Sequence, residues 1–466
     1  MPLVLEQVHT PGLAQLSYLV GDDAAGVGAV IDARRDIEVY VDLAAERGLR
    51  ITHAIETHIH ADFVSGAHEL ASRTGARIVG GASRDYRFDL HALSEGDEVE
   101  LGAVTLRALH TPGHTPEHIS LLLSTEQEGE HPFAVFTGDT LLNLAVGRPD
   151  LIGPEIEERL ARSMYRSLRE KLYPLGDGVQ VLPGHTAGSA CARSIGHRRS
   201  TTIGSERRSN PALQHEDEDE FVASVLTGLP EPPRHYARLK KVNAAGAPVR
   251  GRLPHVPPLS ARELERRMSR RGALLLDIRP LLAFGGGHIP GALHIALDRY
   301  FPTWVGWMVD PDATLLLVAD HLPDIRAATE HLFRLGFDRV EAFLHPGMKA
   351  WQDAALPLER TGEWSVHELN ERRADPDVLV LDVRSDPEWN EGHVPGARHI
   401  YVPHLEERLD ELDRAKTIAA YCGSGYRSSI AASVLQRHGY ERVATVPGSM
   451  KAWKAAGLPL DRADQV

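Results

Sequence analysis

The densest chemistry in the sequence lies in Thr57-His58-Ile59-His60-Ala61-Asp62-Phe63-Val64-Ser65-Gly66. Residues 49–55 before it alternate apolar and polar, which reads as a strand, and Ala67, Leu70 and Ala71 after it have helical spacing. Open α/β sheets present their reactive groups on such strand-end turns. One histidine there would read as structural, but two later turns carry matching groups. His114 follows Thr111-Pro112-Gly113, and Asp139 follows Phe136-Thr137-Gly138. Each closes a strand-like run (residues 104–109 and 132–136), and the glycine before each lets the backbone turn sharply. Imidazole and carboxylate donors from separate strand ends, gathered at one sheet edge, can hold a metal ion. A second centre is Cys422, in Tyr421-Cys422-Gly423-Ser424-Gly425-Tyr426-Arg427-Ser428, between a strand at 417–421 and a helix. The glycines let the loop curl so that backbone N–H groups from Gly423, Ser424, Gly425 and Tyr426 turn toward the sulfur. With a helix N-terminus and Arg427 nearby, this nest should favour thiolate and hold a persulfide.

Over roughly the first half of the chain, the order of these elements resembles the metallo-β-lactamase superfamily. Its two-metal hydrolases carry THxHxDH, whose last histidine helps to hold the second metal. Here that position is Phe63, which cannot ligate, so one metal is expected. Together with the TPGHT and TGD turns and Gly147-Arg148-Pro149-Asp150-Leu151, the pattern is similar to the persulfide dioxygenases. That resemblance implies one Fe(II) per chain, held by His58, His114 and Asp139. Open positions would admit a soft persulfide sulfur and O₂ together. His60 and Asp62 match the motif but not the iron ligands, and are expected to orient ligands or substrate. His185, in Leu182-Pro183-Gly184-His185-Thr186, is expected behind the ligands, since the metal it would meet is the one Phe63 removes. Arg148 is expected to hold the carboxylates of a carrier thiol, against the plainer reading of a surface salt bridge. Cys191 reads first as a helical packing residue, with a part in handling the persulfide as the alternative.

At 466 residues the chain exceeds one core and suggests about three domains. With 42% hydrophobic and 25% charged residues, an ordinary soluble globular protein is expected. A net charge of −14 argues against nucleic-acid and anionic-membrane partners. The opening stretch is broken by Glu6, His9 and Gly12, unlike a secretory leader, and no apolar run approaches the ~18 residues of a membrane span. The two cysteines, Cys191 and Cys422, fall in different expected domains, so a disulfide framework is not expected and a reducing cytoplasm fits.

Residues 1–245 read as the metal domain, with alternating strand and helix signals. The acidic run 216–220 reads as a solvated helix start. Prolines 230, 232, 233, 248, 254, 257 and 258 crowd a segment that reads as a connector to about 258. From 259 the chain repeats with a period of about 105 residues. Leu276-Asp277-Ile278-Arg279 answers Leu381-Asp382-Val383-Arg384, and His288-Ile289-Pro290-Gly291-Ala292 answers His393-Val394-Pro395-Gly396-Ala397. Short apolar runs alternating with helices imply a small parallel α/β sheet in each copy, 259–360 and 361–466. The motifs resemble the rhodanese family in both copies. The first has Ala319 where the second has Cys422, and its loop adds Asp320 and Asp324, so it is expected to be silent. His321 there reads as a solvent-facing loop histidine. Four residues between Cys422 and Arg427 suit sulfur better than the longer loop of the related phosphatases.

The expected architecture is therefore α/β: a metallo-β-lactamase αββα sandwich followed by two rhodanese-like α/β domains. The resemblance implies persulfide oxidation to sulfite, and thiosulfate formation from sulfite at Cys422 or its reverse. Partners would be a low-molecular-weight persulfide such as glutathione persulfide, O₂, sulfite and thiosulfate. Apolar surface on the silent copy would suit a homo-oligomer contact. The rivals are a dinuclear zinc thioester hydrolase of glyoxalase II type, which Phe63 opposes, and a non-catalytic persulfide carrier.

Overall fold

A computed structural model describes residues 3–126 and 131–462. The chain separates into two compact units, Met1–Leu253 with Phe333–Gly336, and Pro254–Leu332 with Phe337–Val466.

In the first unit, strands Leu3–Thr10, Gln15–Asp22, Val27–Ile31, Arg50–Glu56, Arg77–Gly81 and His91–Leu93 pair in chain order. Six more, Glu98–Leu101, Val104–His110, Ile119–Thr125, Ala134–Gly138, Gln180–Pro183 and Thr201–Thr202, form a second sheet, also in chain order. Strand side chains alternate between faces. Leu16, Tyr18, Ile31 and Ile55 of the first sheet meet Val99, Leu106, Leu121 and Phe136 of the second in one buried core. The intervening residues face outward onto helices. Leu19, Val30 and Ala54 share a core with Tyr40 and Leu70, from helices Glu38–Glu46 and Ala67–Thr74. Leu122, Val135 and Val181 share another with Met164 and Phe221, from Glu157–Arg166 and Glu218–Leu226. The layers run helix, sheet, sheet, helix, as expected.

Strand direction decides where the reactive turns fall. Val104–His110 and Ala134–Gly138 both run antiparallel to Ile119–Thr125, and Gln180–Pro183 runs parallel to Ala134–Gly138. All three therefore end at one sheet edge. Thr57, just past Arg50–Glu56, joins that edge from the first sheet, its carbonyl accepting the Ile119 N–H at 2.8 Å.

The expected connector is only partly one. Residues His235–Ala245 form a helix, framed by Pro233 and Pro248. Proline before or at the first turn leaves helical N–H bonding intact, so the proline crowd marks the helix boundaries. The acidic run starts a helix as expected, with the Asp217 carboxylate accepting the N–H groups of Asp219 and Glu220.

The second unit holds two parallel five-stranded sheets of matching order. One runs Pro258–Leu259, Val340–Leu344, Thr314–Val318, Ala273–Asp277, Leu293–His294. The other runs Gly362–Glu363, Val443–Thr445, Thr417–Tyr421, Val378–Asp382, Arg398–His399. The repeated Asp-x-Arg motif is a buried strap in both. Arg279 grips Asp277 and donates to Gly287 O at 2.9 Å, and Arg384 grips Asp382 and donates to Gly392 O at 2.9 Å. The copies are joined around the helix Tyr426–Arg437. Ser429 Oγ donates to His294 Nδ1 at 2.7 Å, and the His294 N–H donates to Ser433 Oγ at 3.0 Å. Tyr426 donates to Ala296 O at 2.5 Å and Arg437 to Gly291 O at 2.8 Å. Among the described residues, no helix is long and apolar enough to cross a membrane.

Candidate active sites

At the shared sheet edge, one donor atom each from His58, His114 and Asp139 lies within 4.8 Å of the others, all three residues buried. His114 Nε2 is 3.6 Å and His58 Nε2 3.9 Å from Asp139 Oδ2. Each of the three side chains is held from behind by its other atom. Thr57 Oγ1 donates to Asp32 Oδ2 at 2.8 Å, so it can accept the His58 Nδ1–H at 2.9 Å. His114 Nδ1–H donates to the Arg148 carbonyl at 2.9 Å. Both tautomers thereby present Nε2 lone pairs to the centre. Asp139 Oδ1 accepts from His185 Nδ1 at 2.7 Å, leaving Oδ2 inward. His58 Nε2 and Asp139 Oδ2 are buried without a hydrogen-bond partner. Two orphaned buried atoms pointing at one space are costly unless something occupies it, and a cation fits that donor set. Burial, with neighbouring imidazoles, holds His58 well below its ordinary value, and burial lowers His114 with partial offset from Asp139. Burial would raise Asp139, but His185 holds it well below the usual carboxylate range.

The other expected site residues stand behind this triad. His185 Nε2 donates to Asp62 Oδ2 at 2.9 Å, so it bridges two carboxylates with both nitrogens spent. Burial disfavours its charge, yet Asp139 and Asp62 hold its pKa well above the ordinary value. His60 faces Asp32 at 3.1 Å and Glu56 at 3.5 Å. Burial lowers it, Asp32 and Glu56 more than reverse that, and it is pushed up to about 9. Phe63 is fully buried, its ring centroid 4.4 Å from that of His60.

Two expectations need correction. Arg148 is no free carboxylate binder and no surface residue. It is 1% exposed, its guanidinium gripped by Asp150 at 2.7 and 2.6 Å and donating to Pro230 O at 2.7 Å. Its main chain is what reaches the site. Cys191 is not helical but lies in a bend, buried, with Asp62 and His185 donor atoms within 4.8 Å of its sulfur. Burial pushes its thiol well up.

Several residues at the site had no sequence signal beyond their type. His118 stacks on His58 with ring centroids 5.1 Å apart, and its Nε2 accepts the Asp139 N–H at 3.1 Å. Burial pushes it down to about 3, so it is the neutral acceptor this bond needs. Asn243 donates to the carbonyls of His60 and Phe63 at 2.8 Å each and accepts the Ser65 N–H at 2.9 Å. Gly138 has φ +46°, and a Cβ there would lie 2.6 Å from both His118 Nε2 and Thr57 Oγ1.

In the second unit, Cys422 follows its strand as expected and is 1% exposed. The Gly425 N–H donates to Sγ at 3.1 Å, and the hydroxyls of Ser449 and Ser428 lie 3.8 and 3.9 Å from it. Arg427 sits over Gly423, but its guanidinium is held by Glu388 at 2.5 and 2.7 Å. Burial would raise Glu388, and Arg427 brings it down to about 2. Tyr426 points its hydroxyl at the first copy, away from the sulfur. Ala319 follows Val318 at the sheet position that Cys422 takes after Tyr421, and His321 is exposed.

Residues 10–185 match the metallo-beta-lactamase superfamily, and 260–354 and 365–456 each match the rhodanese-like domain. Mitochondrial persulfide dioxygenase ETHE1 of Homo sapiens is 30% identical over 237 residues, 50% of this chain and 84% of that protein. Hydroxyacylglutathione hydrolase of Cereibacter sphaeroides is 37% identical over 193 residues, 41% of this chain and 69% of that protein. A crystal structure of a metallo-beta-lactamase from Staphylococcus aureus is 33% identical with TM-score 0.67, covering 74% of this chain and 99% of that one. The chain therefore belongs to the metallo-beta-lactamase superfamily, as a domain with persulfide dioxygenase homologues fused to two rhodanese-like domains.

Proposed function

We propose that this chain is a persulfide dioxygenase with one Fe(II), coupled to a sulfurtransferase at Cys422. The observation that carries the first half is the pair of orphaned donor atoms, His58 Nε2 and Asp139 Oδ2, converging with His114 Nε2. Two imidazoles and one carboxylate on one side suit ferrous iron, which when bound supplies adjacent open positions for a soft sulfur and O₂. The protein's own groups fix that geometry. Thr57 and the Arg148 carbonyl set the imidazole tautomers, and His185 keeps Asp139 ionised. The overall change balances as RSSH + O₂ + H₂O giving RSH and sulfurous acid. The Cys422 thiolate then attacks the outer sulfur of a second persulfide, RSSH, breaking its S–S bond so that RSH leaves and Cys422 carries the sulfane sulfur as a persulfide. Sulfite attacks its outer sulfur, and thiosulfate leaves with the Cys422 thiolate released. The Gly425 N–H, donated to Sγ at 3.1 Å, supports a negatively charged sulfur there. The reverse direction uses the same groups.

The hydroxyacylglutathione hydrolase likeness makes a two-metal thioester hydrolase the reading to beat. Phe63 and the doubly bonded His185 weigh against a second ion. Full-length protein loaded anaerobically with Fe(II) is expected to consume O₂ with glutathione persulfide and to hold one iron per chain. No uptake rejects the dioxygenase, and two zinc ions with thioester hydrolysis establish the rival. Cys422→Ser is expected to abolish thiosulfate formation while sulfite still appears. Unchanged thiosulfate would remove Cys422 as the carrier.

A further inference from the structure

Helix His235–Ala245 lies against the turn that carries His58 and His60. Asn243 bonds to three backbone groups of residues 60–65, and Tyr236 shares a buried cluster with Ala61 and Cys191. Lys240 comes four residues after Tyr236 and three before Asn243, which puts all three on one helical face. The neighbouring loop is tied to the same helix, with the Arg87 N–H donating to Ala244 O at 2.8 Å. Lys240 is half-buried, and it makes no hydrogen bond or ion pair within 4.0 Å with any described residue. Glu117 and Asp85 lie near enough for their charge to act on it, yet neither pairs with it, and Glu117 spends Oε1 on the Ile59 N–H at 2.8 Å. Its own charge acts on His114, one of the three converging donors.

An ammonium group partly withdrawn from water without a partner is unfavourable, and Lys240 carries that cost on the helix that packs against the turn bearing His58 and His60. Burial pulls it below the ordinary lysine value, with only partial offset from Glu117 and Asp85. Arg148, by contrast, has its guanidinium fully engaged. Resting on the dioxygenase reading, we propose that Lys240 binds the anionic group of the thiol that carries the persulfide, and so selects carriers bearing carboxylate or phosphate over neutral or cationic ones. It is a specificity-determining residue, and the bond-breaking chemistry does not pass through it.

The test uses full-length protein loaded with Fe(II), as wild type, Lys240→Met and Lys240→Arg. O₂ uptake is followed with glutathione persulfide, coenzyme A persulfide and cysteamine persulfide. Lys240→Met is expected to raise KM for an anionic carrier about tenfold, an ordinary loss for one partly desolvated ion pair. The KM for cysteamine persulfide should move less than twofold, and Lys240→Arg should restore most of the difference. A rise confined to glutathione persulfide identifies a carboxylate, and one confined to coenzyme A persulfide identifies a phosphate. Equal changes for all three carriers, or none, overturn the proposal. Calorimetric binding of free glutathione and free coenzyme A to the same variants repeats the comparison without turnover. If wild type oxidises no persulfide, the dioxygenase reading falls and calorimetry alone decides Lys240. If wild type binds neither thiol, or Lys240→Met binds them equally well, the lysine assignment falls.

Discussion

Thr57 is a small residue with two tasks. Its hydroxyl gives its proton to Asp32 and takes the proton on His58 Nδ1, so one group fixes both a strand-end carboxylate and a ligand tautomer. Thr57→Val keeps the shape and removes both bonds. Metal affinity is expected to fall roughly 10- to 100-fold, the usual penalty for losing an orienting partner, as read by competition against a chelator of known strength. A change under twofold would mean that the imidazole is aimed by packing alone. At this scale the sequence was legible where chemistry repeats in a local pattern. His58, His114, Asp139 and Cys422 each sit on a turn after a strand, beside glycine or in a dense motif. Asp32, His118 and Asn243 were not legible, because their neighbours are 25, 21 and 183 positions away and only the folded sheets bring them together.

Among the elements, the helix His235–Ala245 shows why the connector reading fell short. Prolines signal interruption, and a crowd of them hid eleven residues of regular helix. The strand-and-turn scaffold was easier, since two-residue alternation in both sheets follows directly from burial on two faces. The helix contributes its Asn243 amide, whose three bonds satisfy backbone groups on either side of Phe63. Asn243→Ala leaves two carbonyls and one N–H buried without partners. Each such orphan costs about 1–3 kcal/mol, so a loss on the order of 3 kcal/mol is expected in denaturant unfolding. Hydrogen exchange should place it, with the Ser65 amide losing protection while amides in strand Gln15–Asp22 keep theirs. Uniform loss across the first unit would instead mean that the helix holds the whole sandwich.

For the molecule at large, the join between the two rhodanese-like copies is the feature most open to measurement. His294 is buried, gives Nε2–H to Arg279 O at 2.8 Å and accepts from Ser429 on Nδ1. Burial pushes it down to about 4, so it is neutral in the folded state while an unfolded histidine titrates near 6.5. The sign follows from proton uptake on unfolding. The stability it contributes is intact above pH 6.5 and drains away as pH falls from 6.5 toward 4, by up to ~3 kcal/mol. His288 shifts the same way and adds to the slope. All six tryptophans lie between 304 and 453, so their fluorescence reports the second unit alone. Denaturation followed this way should show a falling midpoint across that window, and His294→Gln should flatten it. A slope unchanged in the variant would assign the effect elsewhere.

The bonds that Tyr426, Arg437 and Ser433 make across that join fall on main-chain groups of the first copy: the Ala296 and Gly291 carbonyls and the His294 amide. Main-chain atoms are the same whatever residue bears them. The first copy's loop at 319–325 contributes none of these bonds, so exchanging its side chains should leave the join intact. Tyr426 and Arg437, which reach across with their side chains, should tolerate little exchange.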